Sequence, residues 1–171
     1  MNTDIDALLD RMTEGLREHL RARRIDDPVM IGIHTGGTWV AQALHARLGL
    51  AQPLGELDIT FYRDDFSRVG LHPQVKPSSL PVNLDNRHVV LVDDVLYTGR
   101  TVRAAMNELF DFGRPASITL AVLVDRSGRE LPIEAQVVGA HLQVPPGSQV
   151  KLSGPEPLEL KVVEPHGGAT S

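Results

Sequence analysis

Apolar positions along the chain change period several times, and each change predicts an element. Between Thr3 and Arg24, the residues Ile5, Leu8, Leu9, Met12, Leu16 and Leu20 recur at three- and four-residue steps, the spacing of one helix face. Thr3 is placed to cap this helix, Asp6 favours its positive end, and Asp26-Asp27-Pro28 predicts its stop. Unbroken apolar runs at Val29–Ile33, His88–Val92 and Ile118–Val124 predict strands buried on both faces. Leu57–Tyr62, Gln136–Leu142 and Leu158–Val163 read as further short strands. Helical spacing returns over Thr38–Leu48 and from Arg100 to Phe112, where Gly113-Arg114-Pro115 ends it. Strands alternating with helices predict an α/β fold: a central, mainly parallel sheet with helices on both faces.

One stretch follows neither period. Arg63–Pro81 is charged, holds three prolines and reads as a long flexible loop. It exceeds the about 12–15 residues that compact domains usually leave without secondary structure, and such loops are often functional. In a sheet of this kind ligands collect at the carboxyl ends of the strands. Loops His34–Thr38, Asp93–Thr101 and Asp125–Arg129 are therefore expected to converge, with the long loop beside them. No repeat or linker divides the 171 residues, so a single domain with a frayed tail over about 165–171 is expected.

Composition narrows the chemistry. A hydrophobic share of 42% supports a packed core, while 4% aromatics disfavours a surface built on stacked rings. The absence of cysteine excludes disulfides, zinc knuckles and thiol nucleophiles. A net charge of −5 argues against indiscriminate nucleic-acid binding, though not against a local basic patch. The acidic start Met1-Asn2-Thr3-Asp4-Ile5-Asp6 lacks the apolar core of a signal peptide, and no apolar run approaches the roughly 18–20 residues of a membrane span. A cytoplasmic protein without a membrane partner is the expectation.

Val89–Thr101 is the most informative segment. Adjacent carboxylates Asp93 and Asp94 at the end of a buried strand repel each other and call for hydroxyl donors or a cation. Vicinal sugar hydroxyls supply the first and Mg²⁺ the second. Thr98-Gly99-Arg100-Thr101 then opens a helix, where exposed N–H groups, the helix dipole and two hydroxyls suit a phosphate dianion. A carboxylate pair followed by a phosphate turn describes a phosphorylated sugar. The Gly-Lys-Ser/Thr of a P-loop and a spaced Gly-x-Gly-x-x-Gly are both missing.

This stretch resembles the phosphoribosyl pyrophosphate (PRPP) motif of type I phosphoribosyltransferases. More narrowly, Asp93–Arg103, Leu57–Asp65, Leu120–Arg126 and Arg129-Glu130-Leu131-Pro132-Ile133 are similar to the PyrR family, pyrimidine-operon attenuators with uracil phosphoribosyltransferase activity. The resemblance spans roughly Val29–Gly139. It implies a type I phosphoribosyltransferase fold with a small hood, and formation of UMP and pyrophosphate from uracil and PRPP with Mg²⁺. On that resemblance Asp93 and Asp94 hold the ribose hydroxyls, with possible help to Mg²⁺, and Val95, Leu96, Tyr97, Thr98, Gly99, Arg100 and Thr101 form the PRPP loop. Thr35, Gly36 and Gly37 occupy the pyrophosphate loop, Asp125 and Arg126 the base pocket. Arg63, Arg68 and Lys76 belong to the flexible loop, whose closure would exclude water, with Arg63 assigned to catalysis. The family commonly has Thr-Arg-Gly in the pyrophosphate loop; this chain has Thr35-Gly36-Gly37, and Arg63 is a candidate to compensate. Another base, such as a purine, remains an alternative substrate. The resemblance also implies homodimers or larger homo-oligomers.

The family further binds a messenger-RNA leader through a basic face. Arg17, Arg21 and Arg24 fall at i, i+4 and i+7 of the first helix, and Arg129 and Arg126 are candidates to extend that stripe. Glu14 and Glu18 interrupt it, and the turn Asp125–Arg129 lacks the histidine that family members often carry. Together with the acidic total, these departures favour a solvated helix face over an RNA surface.

Overall fold

A computed structural model describes residues 4–59, 79–80 and 82–165. Its elements run α1 (Ile5–Ala22), β1 (Val29–Ile33), α2 (Gly36–Leu48), β2 (Gly55–Leu57), β3 (His88–Leu96), α3 (Arg100–Asp111), β4 (Ser117–Arg126), β5 (Val137–Leu142), β6 (Gln149–Ser153) and β7 (Glu159–Val163). The first five strands form one parallel sheet in the order β2-β1-β3-β4-β5, and β6 pairs antiparallel with β7 in a separate hairpin.

The unbroken apolar runs are explained by two cores, one on each sheet face. Met30, Val90, Val92, Ala121 and Leu123 pack with the Ile5–Leu20 stripe of α1 and with Val40, Ala41 and Leu44 of α2. Their neighbours Val29, Ile31, Val89, Leu91, Leu120 and Val122 turn the other way, onto Val102, Ala105 and Leu109 of α3. Successive side chains of a strand face opposite ways, so a strand covered on both sides must be apolar throughout. The hairpin β6–β7 joins the first core through Leu152, Leu158 and Leu160.

Several boundaries differ from expectation for identifiable reasons. Asp4 caps α1, accepting from the Ala7 amide at 3.2 Å, where Thr3 was expected. The helix ends at Ala22 because Arg24 turns left-handed at φ 57°, while the amides of Arg24 and Ile25 return to the carbonyls of Arg21 and Leu20. Burial of Ile25 completes this Schellman-type stop, so Arg24 lies outside the helix and does not occupy the i+7 position expected for it beside Arg17 and Arg21. Strand β3 runs four residues past Val92, which puts both acids inside it, paired to β4 through Asp93↔Val122. Strand β2 covers Gly55–Leu57 only; Leu57–Tyr62 was expected, and residues 60–62 lie outside the described residues. The same holds for Arg63, Arg68 and Lys76 of the expected loop, and for 166–171 of the expected tail.

Candidate functional site

The carboxyl ends of β1 and β3 open into a cavity of about 660 Å³. His34, Thr35 and Gly36 line one wall, Asp93 to Val95 the floor, and Tyr97, Arg100 and Thr101 another side. Arg126 closes it from β4, and Ser148 to Lys151 from the start of β6. A cradle of about 80 Å³ adjoins it, walled by Asp93, Val95 to Gly99, Thr101 and Val102. Three of the converging loops are thus brought together; the fourth lies largely outside the described residues.

The acidic pair is held by its own backbone. Asp93 Oδ1 accepts from the Asp94 amide, and Asp94 Oδ1 from the Val95 amide, each at 2.8 Å. Asp93 is buried and Asp94 partly so, which keeps one carboxylate fixed and leaves the other at the cavity wall. Gly36 makes room for it: a Cβ there would overlap Asp94 Oδ2. The glycine replacing the family's arginine therefore coincides with a carboxylate leaning on the bare backbone of the facing turn. Gly37 is not in the cavity wall; a Cβ there would sit 2.7 Å from the Val92 carbonyl, so it sets how closely α2 meets β3.

The second turn builds an anion-type nest. Gly99 takes φ 97°, and its missing Cβ would lie 3.0 Å from Ile133, so both backbone and space demand glycine. The first intrahelical bond of α3 is Arg103 N–H to Gly99 O at 3.0 Å, which leaves the amides of Thr101 and Val102 at the helix start without intrahelical acceptors. Thr98 Oγ1 accepts from the Arg100 amide at 3.1 Å. The Arg100 side chain pairs with Glu130 at 3.0 Å. Leu96, expected in this loop, is buried with its side chain in the α3 core.

Of the two expected base-pocket residues, only Arg126 lines the cavity. Its guanidinium lies 3.9 Å from the Tyr97 ring centroid and donates to the Ser148 carbonyl at 2.7 Å. Asp125 faces the other side of β4 and pairs with Arg129 at 2.6 Å, because neighbouring strand positions alternate. Arg129 is likewise turned into the protein by three hydrogen bonds and does not extend a basic surface. Arg17 is occupied by Glu14 and the Arg47 carbonyl, and Arg21 is exposed. Sequence reasoning missed Ser148 to Lys151. The alternation of Val150 and Leu152 with polar neighbours signals this strand, but Pro145-Pro146-Gly147 and Gly154-Pro155 on either side obscure it.

Comparison with known proteins agrees with this architecture. The phosphoribosyl transferase domain family matches residues 3–158. The bifunctional protein PyrR of Nitrosococcus oceani is 57% identical over 164 residues, covering 95% of this chain and 93% of that protein. The bifunctional protein PyrR of Pseudomonas paraeruginosa is 59% identical over 160 residues, covering 92% and 94%. Among solved structures, a hypoxanthine-guanine-xanthine phosphoribosyltransferase superposes with a TM-score of 0.66 at 18% identity, covering 98% of this chain and 94% of that one. A hypoxanthine phosphoribosyltransferase from Staphylococcus aureus gives a TM-score of 0.64 at 19% identity over 81% and 74%. At such identities these structures establish the shared type I phosphoribosyltransferase fold and nothing further. With the carboxylate pair, the glycine-bearing nest and this likeness along nearly its whole length, the chain belongs to the PyrR family of bifunctional phosphoribosyltransferase-fold proteins.

Proposed function

We propose that this protein transfers a 5-phosphoribosyl group from PRPP to uracil, giving UMP and pyrophosphate. The observation that carries the reading is the adjacency of a fixed carboxylate pair and a phosphate-sized cradle at the end of β3. In the reaction the C1′–oxygen bond to pyrophosphate breaks, a bond from uracil N1 to C1′ forms, and the N1 proton is released. Positive charge develops on the ribose and negative charge on the leaving group, so preorganised dipoles and cations lower the barrier without a covalent nucleophile.

The residues take roles by position. Asp93 and Asp94 accept from the ribose hydroxyls, and Thr98, Gly99, Arg100 and Thr101 receive the 5′-phosphate at the α3 start, where the dipole favours an anion. Thr35 and Gly36 face the pyrophosphate. Arg126 and the Ser148–Val150 backbone border the space left for the base. Arg63, Arg68 and Lys76 are proposed to close over the site. Mg²⁺ fits this donor set, because the two carboxylates supply hard oxygens. Asp93 and Asp94 would hold it together with PRPP, and the ion would offset charge on the leaving group.

A single catalytic domain, a homo-oligomer and a cytoplasmic setting belong to the same proposal; among the described residues no helix is long and apolar enough to cross a membrane. A panel of bases with labelled PRPP tests the substrate, and UMP formation with uracil is expected to dominate. Asp94→Asn should lower turnover about tenfold to a hundredfold, the range for losing a hydrogen bond to a charged group, with the fold retained. Unchanged turnover would remove the site assignment. The word bifunctional in the relatives' names supports a second reading, binding of an operon-leader RNA. A leader shift that strengthens with UMP and weakens steeply with salt is the expected result; no shift at low salt would end that reading.

A further inference from the structure

The turn at Tyr97–Gly99 is braced from behind by a segment, Gly128 to Ile133, whose own residues do not line the large cavity. Arg129 donates from Nη1 to the Tyr97 carbonyl at 2.5 Å, from Nη2 to Asp125 Oδ1 at 2.6 Å and from Nε to the Ile133 carbonyl at 2.9 Å. The next two amides, Glu130 and Leu131, both donate to the Thr98 carbonyl, at 2.9 and 3.0 Å. Two consecutive carbonyls of the turn are therefore pulled toward one segment. Gly128 adds contact with the Tyr97 ring, where a Cβ would overlap it, and Leu131 and Ile133 wall Gly99.

This has a consequence for the amides. The cis peptides of the chain lie elsewhere, so Tyr97–Thr98 and Thr98–Gly99 are trans. In a trans peptide the C=O and the following N–H point in opposite directions. Holding the carbonyls of Tyr97 and Thr98 against the brace therefore aims the amides of Thr98 and Gly99 away from it, toward the small cradle. We propose that Arg129 is a positioning residue of the phosphoribosyl site, orienting the Thr98 and Gly99 amides for the 5′-phosphate through the Tyr97 carbonyl. The inference rests on the reading of that cradle as the phosphate site. Arginine suits the task because its planar fork meets three fixed acceptors at once, and a lysine ammonium on a flexible stem does not.

The test is calorimetric binding of PRPP with Mg²⁺, and of ribose 5-phosphate alone, to the full-length protein and to Arg129→Gln and Arg129→Lys, with initial rates for both substrates. Misaligned donors cost on the order of ten- to a hundredfold in affinity, so both variants should lose that much for both phosphates while KM for uracil stays near the parent value. The lysine variant keeps the charge beside Asp125 and is the folded form to use where the glutamine variant is unstable. Full rescue by Arg129→Lys would overturn the proposal, because charge alone would then suffice; so would parent-like affinity in either folded variant. A folded parent protein that binds neither phosphate would overturn the phosphoribosyl reading itself, and this inference with it.

Discussion

The two turns that face each other across the cavity are built on different principles. The turn after β3 is braced: Thr98 O, Tyr97 O and the Tyr97 ring are each held by residues of the 126–131 segment, and glycine is demanded by φ at Gly99. The turn after β1 is merely fitted. Thr35 makes no side-chain cap bond, Gly37 lies close on β3, and Gly36 is kept bare by the Asp94 side chain, itself held through the Val95 amide. A fixed nest suits a phosphate that remains attached through the reaction, whereas a loosely fitted turn suits a group that must leave. On the proposed assignment of the two turns, preorganisation sits where the ligand stays.

Replacing each turn glycine should expose that asymmetry. Gly99→Ala meets both a left-handed φ and the Ile133 side chain, so strain of about 1–3 kcal/mol is expected, read as about a ten- to hundredfold loss of PRPP affinity in calorimetry. Gly36→Ala carries no left-handed φ but must push aside the Asp94 carboxyl, whose Cγ a Cβ would meet at 2.7 Å and whose Oδ1 accepts from the Val95 amide; an off-rotamer side chain costs about 0.5–1.5 kcal/mol. Its PRPP KM should rise about two- to tenfold. A larger loss at Gly36 than at Gly99 would reverse the comparison.

The smallest effect belongs far from both turns. His19 of α1 meets Thr119 at 3.1 Å, and its pKa is lowered, first by burial and then by the Arg23 charge. The unfolded imidazole therefore takes up its proton before the folded one does. Stability from this group is complete above the usual imidazole pKa of about 6.5 and is lost as pH falls from there through the lowered value. His19→Gln should flatten that slope in denaturant titrations between pH 7 and 5, with PRPP affinity at pH 7 unchanged. An unaltered slope would remove His19 as its source.

The layered sheet, and the meeting of the acidic pair with a glycine-bearing turn at one strand end, were legible in the chain because each is a local pattern. Unbroken apolar runs report two covered faces wherever they occur, and Asp93-Asp94 with Thr98–Thr101 carries its chemistry within one short stretch. The same locality explains what was misread. Arg24 fits the helical step, yet Ile25 finds a buried place that ends the helix first. Asp125 and Arg126 read as one pocket pair, yet neighbouring strand positions face opposite ways.

Arg129 shows the division most clearly. By sequence it is a cation on a polar turn, available to RNA; in the fold it satisfies acceptors 4 and 32 residues away. Period and composition record which residues are buried and which are charged. Only the tertiary structure decides which acceptors a long, polyvalent side chain reaches, because that depends on how its own turn folds and which distant segment comes to lie against it.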